Sequence, residues 1–153
     1  MAWLDHRIPP VVLMLGCALT MGLTARLLPT LEMPLIWRLP LSLAITVTGT
    51  AICLMGVHSF RRARTTVNPL SPDSASDLVT QGIYRLTRNP MYLGFTLILV
   101  GWAVLLASLF AFVAVAVFIL WIDRWQIRPE ERALRGLFGA SFTDYCSHTR
   151  RWL

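Results

Sequence analysis

One apolar block constrains this chain more than any other feature. From Met91 to Ile122 there are 32 consecutive residues without a charged side chain. As a single helix the block would be about 48 Å long, whereas the hydrocarbon core of a bilayer is about 30 Å thick. Two more apolar blocks precede it, Ile8 to Leu28 and Leu39 to Phe60, each long enough for one span of about 20 residues. Only 14% of the chain is charged, against about 25% in an ordinary soluble domain. The deficit is concentrated in these blocks, so their solvent is lipid. A length of 153 residues suits a single membrane domain.

Arginine decides how often the third block crosses. All 14 basic residues are Arg, as a GC-rich bacterial genome would produce. Five (Arg61, Arg62, Arg64, Arg85, Arg88) precede the block and six (Arg124, Arg128, Arg132, Arg135, Arg150, Arg151) follow it. Positive flanks belong on the cytoplasmic side, so the block crosses twice, as a tight hairpin turning near Ala107-Ser108-Leu109. The expected fold is an all-α, polytopic helical bundle of four spans, with a C-terminal hairpin, a cytoplasmic C-terminal helix and both termini cytoplasmic. A bacterial inner membrane is the expected location. Residues 1–60 supply two scaffold spans, 61–90 a cytoplasmic loop, and 91–153 the hairpin with a closing segment.

The first block resembles a signal peptide, but Arg26 and Pro29 close it without a small-residue cleavage site, so it reads as a span. Trp3, Trp37, Trp121 and Trp125 fall near block ends, where an aromatic belt belongs. Thr46, Thr48, Gly49, Thr50 and Gly56 give the second block the small residues of a membrane packing face. The net charge of +6 lies in the two clusters, which argues for membrane orientation and against nucleic acid. Cys17, Cys53 and Cys146 are isolated packing residues. His6, His58 and His148 are scattered, so no metal is expected.

Two polar stretches flank the hairpin. In the first, Asp77 to Tyr92, Asn89-Pro90 bends the chain before a helix, and Pro90 suits a first helical position. Free backbone N–H groups of that first turn can bind an anion, with Arg85 and Arg88 beside them. Tyr84 and Tyr92 can offer aromatic faces; the plainer alternative is a helix anchored at the interface. In the second stretch, Asp123 to Gly139, Pro129-Glu130-Glu131 reads as a helix start with an acidic first turn. Glu131 can pair with Arg135 at i,i+4. Alternatively, one carboxylate faces the hairpin mouth and holds a cationic cofactor.

Together the stretches resemble the isoprenylcysteine carboxyl methyltransferase and phospholipid methyltransferase superfamily. The resemblance is carried by Leu78-Val79-Thr80, Gly82, Tyr84, Arg88-Asn89-Pro90 and Tyr92, then Glu130-Glu131, Phe138-Gly139, Phe142 and Tyr145. It covers about residues 76 to 147. It implies S-adenosyl-L-methionine as cofactor, held by Asp77, Leu78, Val79, Tyr84, Asn89, Pro90, Met91, Tyr92 and Glu130. Arg88 and Glu131 follow as candidate catalytic residues and Gln126 as a candidate substrate contact. The implied partners are the bilayer and a lipophilic acceptor. Asn89 stands where protein-modifying members have His, and Gln126 where they have an Arg near the substrate, so the acceptor stays open. A dry pocket suits methyl transfer from a sulfonium, which needs the reacting atoms aligned at about 3–3.5 Å. The chain has no G-x-G-x-x-G run, which excludes a Rossmann-type soluble methyltransferase. Alternatives are an NADPH-dependent membrane reductase of the sterol type and a non-catalytic membrane subunit.

Overall fold

The computed structural model describes residues 8–63 and 78–153. Every long element among them is helical: α1 (Pro10–Leu27), α2 (Leu35–Arg62), a 3-10 turn (Gly82–Arg85), α3 (Pro90–Leu106), α4 (Ala111–Ile122) and α5 (Arg128–His148). By length and composition, α1 and α2 are long and apolar enough to cross a membrane. Proline opens both α1 and α3, at a position where its missing N–H costs nothing.

Between α3 and α4 the chain reverses over four residues. Ala107 takes a left-handed conformation (φ 48°, ψ 36°) and its N–H bonds back to the end of α3. The backbone N–H of Leu31 bonds to the Ala107 carbonyl at 2.6 Å, tying the α1–α2 connection to the same turn. The Trp102 indole donates to the Ala18 carbonyl at 3.0 Å and pins α1 on α3. Met21, Leu99, Ala103, Val115, Phe118 and Ile122 form the apolar core between α1, α3 and α4.

α2 packs on α3 by backbone contact. A Cβ added to Gly94 would lie 2.5 Å from the Gly49 carbonyl oxygen, and one on Gly49 would lie 2.7 Å from that of Gly94. A Cβ on Gly101 would meet Thr46 and Ser42. Ser42, Thr46, Gly49, Cys53 and Gly56 thus form one small-residue stripe, the device by which membrane helices approach closely without a hydrophobic drive between them. Thr48 and Thr50, grouped with this face from sequence, are exposed instead and donate to the carbonyls of Ala44 and Thr46 at 2.8 Å.

α4 does not end before the acidic pair. It runs through a π-helical segment, Asp123–Ile127, directly into α5. Pro129 explains the wide turn: it cannot donate to residue 125 and its ring crowds that carbonyl, so the preceding turn opens. The fresh, capped start expected at Pro129 is therefore a widened turn in a continuing helix. α5 is broken once, at Gly139 (φ 51°, ψ −118°), a conformation L side chains rarely adopt. Its second half turns back so that the Tyr145 hydroxyl donates to the Tyr84 carbonyl at 2.6 Å, holding the 3-10 turn.

Candidate functional site

The start of α3, the π segment and the first turn of α5 meet at one end of the bundle. There Tyr92, in the first turn of α3, donates its hydroxyl to Glu130 Oε1 at 2.6 Å, and Gln126 Nε2 donates to the same oxygen at 3.2 Å. Four residues separate Gln126 from Glu130, so the helix sets both on one face. Glu130 Oε2 takes no hydrogen bond among the described residues. Glu130 keeps part of its surface accessible. The protein mass around its carboxyl pushes its pKa up to about 7, against the opposing pull of the Tyr92 and Gln126 hydrogen bonds. The result is a carboxylate with one oxygen fixed and the other uncommitted.

Glu131, one residue on, is saturated. It receives Arg151 through Nε–Oε1 at 3.0 Å and Nη2–Oε2 at 2.6 Å, and Arg88 Nη2 on Oε1 at 2.9 Å. Burial alone would raise its pKa, but the hydrogen bonds from Arg151 and Arg88 outweigh it and hold the carboxyl below the usual range. The pair with Arg135 expected from i,i+4 spacing does not form, because Glu131 turns inward to these two arginines.

The same arginines secure the C-terminal tail. Arg88 donates through Nη1 to the carbonyls of Thr149 and Cys146, and its backbone N–H bonds to the Arg150 carbonyl at 2.9 Å. The buried Thr87 hydroxyl and the Asn89 amide both donate to the Arg151 carbonyl, at 3.2 and 2.9 Å. Arg151 Nη1 reaches Asp123 Oδ1 at 3.0 Å, and Arg128 Nε reaches Asp123 Oδ2 at 2.8 Å. Residues 149–152 thus lie as a latch across the loop before α3, with Trp152 packed against the core.

The structure brings most of the sequence-predicted residues to this end. Tyr92, Gln126 and Glu130 share one cluster, while Arg88, Asn89 and Glu131 share the latch. Pro90 and Met91 start α3 against Gly56. Tyr84 is 5% exposed, its ring edge-on to Phe60 at 5.4 Å. Leu78 and Val79 are half-buried in the irregular segment before the 3-10 turn. Asp77 lies outside the described residues. Sequence reasoning missed Thr87, Asp123 and Arg151 as members of the network. Each binds a partner 28 to 64 residues away, and no local pattern signals that.

Comparison with known proteins shows the family. Protein-S-isoprenylcysteine O-methyltransferase A of Arabidopsis thaliana is 30% identical over 109 residues, 71% of this chain and 55% of that protein. A probable protein-S-isoprenylcysteine O-methyltransferase of Oryza sativa subsp. indica is 31% identical over 103 residues, 67% of this chain and 54% of that protein. The chain therefore spans about half the length of these plant relatives. An uncharacterised protein of Haemophilus influenzae is 41% identical over 63 residues, 41% of this chain and the whole of that protein. No solved structure matches. Residues 37–141 match the family described as Phospholipid methyltransferase, a stretch that holds Tyr92, Gln126 and Glu130 and covers more than half of the chain; the protein belongs to the phospholipid methyltransferase family.

Proposed function

We propose that this protein is an integral membrane methyltransferase that uses S-adenosyl-L-methionine and acts on a lipophilic or membrane-associated acceptor. The observation that carries the reading is the Glu130 carboxylate, fixed through one oxygen by Tyr92 and Gln126 and uncommitted at the other. A cofactor bearing an ammonium and a sulfonium needs such a group, and family membership supports the choice. In this reading α1, α2, α3 and the continuous α4–π segment are four spans with both termini cytoplasmic, in a bacterial inner membrane. α3 is about 25 Å long for its 17 residues, and α4 reaches a similar length only with the π segment.

When bound, the cofactor supplies an activated methyl group on a positively charged sulfur. The rest belongs to this chain. Glu130 would hold a cationic group of the cofactor, and Tyr92 fixes the carboxylate's orientation. Leu78, Val79 and Tyr84 would form the wall toward the 3-10 turn, and Asp77, outside the described residues, is a further candidate contact. Asn89, Pro90 and Met91 bring the first turn of α3 to the cofactor. Gln126 lies on the acceptor's side. Arg88 and Glu131 are residues the reaction depends on through the latch: they hold the C-terminal tail over the site and exclude water. Transfer is an in-line displacement, so alignment is the main catalytic contribution.

The test is to incubate purified protein in nanodiscs with methyl-labelled S-adenosylmethionine and a bacterial membrane extract. Label in an extracted product supports the reading. Calorimetry showing NADPH binding and none of S-adenosylmethionine moves the chain to the reductase class.

A further inference from the structure

The exposed side of α4 changes chemistry abruptly without changing direction. Val113, Val117 and Leu120 stand about one turn apart and are each more than half exposed. Further steps of three and four residues reach Arg124, Arg128, Arg132 and Arg135, all exposed. Such steps keep side chains on one face of a helix. α4 runs through the π segment directly into α5, and the wider π turn still brings Arg128 back close to Arg124. The residues therefore form a single strip, apolar in its first half and basic in its second.

The basic half keeps its charge. Glu130 and Glu131 are the acids between Arg124 and Arg135. Glu130 lies about 200° round the helix from Arg128, and Glu131 turns inward to Arg88 and Arg151. Asp123 touches the strip through Arg128, and its other oxygen goes to Arg151. Arg124 and Arg135 make no ion pair among the described residues. An anion approaching this face meets positive charge without a competing carboxylate beside either of them.

Depth selects the partner. α4 and the π segment, of 12 and 5 residues, together run about 25 Å. A hydrocarbon core of about 30 Å therefore ends within a turn of Arg128, and the headgroup layer beyond it is about 5–8 Å deep. Arg124 lies within snorkelling distance of that layer, Arg132 about 6 Å past Arg128, and Arg135 about 10 Å past it, at the layer's outer edge. The Trp121 and Trp125 rings, 4.5 Å apart, stand where apolar gives way to basic, the level an interfacial aromatic belt occupies. A nucleic acid would meet the arginines but has no use for the valines and leucine directly below them. We infer that the exposed face of the α4–α5 helix is a docking surface for anionic lipid headgroups of the cytoplasmic leaflet, gripped by Arg124, Arg128, Arg132 and Arg135 with the lipid tails along Val113, Val117 and Leu120. The inference rests on the membrane-spanning part of the reading above and not on its cofactor.

The test uses full-length protein without cofactor and compares bound phosphatidylglycerol with bound phosphatidylcholine by native mass spectrometry. Each arginine that a headgroup meets is worth a factor of about five, so the parent should prefer phosphatidylglycerol at least fivefold. The preference should shrink in about 1 M salt, where the Debye length is about 3 Å. A double variant, Arg124→Gln with Arg135→Gln, should lose most of the preference, and Arg124→Lys with Arg135→Lys should keep it, because charge and not shape is recognised. Phosphatidylglycerol carrying a diazirine near its headgroup should crosslink to residues 120–136 in the parent. A parent without preference, or a glutamine variant that keeps it in full, would overturn the assignment. Crosslinks confined to the Arg61–Arg62 end of α2 would overturn it as well, even if both variants failed to fold. Capture of a labelled oligonucleotide that the glutamine variant abolishes, with no lipid preference, would assign the face to nucleic acid instead. Extraction of the parent from membranes by alkaline carbonate would contradict the spanning reading itself, whereas a retained protein without lipid preference sinks only this proposal.

Discussion

Glu130 and Glu131 are adjacent, alike in chemistry and opposite in circumstance. Residues next to each other on a helix point about 100° apart, and that angle puts Glu131 on the latch and Glu130 on the cluster with Tyr92. Glu131 takes three hydrogen bonds from two arginines and sits below its usual pKa. Glu130 takes two neutral hydrogen bonds on one oxygen and sits near 7. The first carboxylate has found its cations within the protein. The second meets none among the described residues, as the proposed role in binding an external cation requires.

The largest expected effect is on the structural member. Glu131→Ala leaves Arg88 and Arg151 facing each other without their shared anion. Breaking a buried pair costs about 3–5 kcal/mol; Arg151 is one-third exposed, so about 2–3 kcal/mol of stability is the expected loss. Thermal unfolding in detergent measures it. A loss below about 0.5 kcal/mol, within the range of ordinary surface substitutions, would show that the latch is held by the backbone bonds alone.

Glu130→Gln should behave in the reverse manner. Glutamine keeps the shape and can still accept from Tyr92, so melting should hardly change near pH 4.5, where the carboxyl is protonated, and should not fall at higher pH. A hydrogen bond from a charged group is worth about 1.5–3 kcal/mol, so S-adenosylmethionine should bind at least about tenfold more weakly. A variant that melts early and binds normally would invert the comparison. Tyr92→Phe leaves the charge in place and removes only one of the bonds that orient it, so it should weaken cofactor binding less than Glu130→Gln does. It should also raise the Glu130 pKa further, because the Tyr92 hydrogen bond opposes burial there.

The pH responses of the two carboxylates should be opposite in sign. A group whose pKa is raised on folding stabilises fully below its unfolded value and loses that contribution as pH rises through the folded value. Glu130 should therefore make the cofactor-free protein less stable as pH rises from about 4.5 to about 7. Glu131, with its pKa lowered, stabilises above the usual carboxylate range and loses that contribution only as pH falls through and below it. Melting curves from pH 5 to 8 on the parent and Glu130→Gln isolate the first term, which should vanish in the variant. An unchanged slope would mean that Glu130 does not titrate there.

What the sequence made legible follows from the range of each interaction. Pro90 and the apolar blocks are local signals, and they locate helices. Glu130 and Tyr92 are legible through an ordered set of residues that resembles a family, and Gln126 as a position where the chain departs from that set. Pro129 reads as a helix start because a proline and two acids look the same whether a helix begins or an existing one widens; only the packing of α4 onto the core chooses. Composition marks a small-residue helix and so groups Thr48 and Thr50 with Thr46, while the face depends on where α3 lies. Arg151 and Thr87 carry no signal, since their partners are distant in sequence and an arginine near a terminus usually faces solvent.

The central claim is that Glu130 is the cofactor's anionic anchor, and the most direct measurement is calorimetric titration of S-adenosylmethionine into the parent and Glu130→Gln at pH 6 and pH 8. The account predicts tighter binding by the parent at pH 8, where Glu130 is ionised, and binding by the variant that is at least tenfold weaker at pH 8 and independent of pH. Equal affinities for parent and variant at both pH values would contradict it.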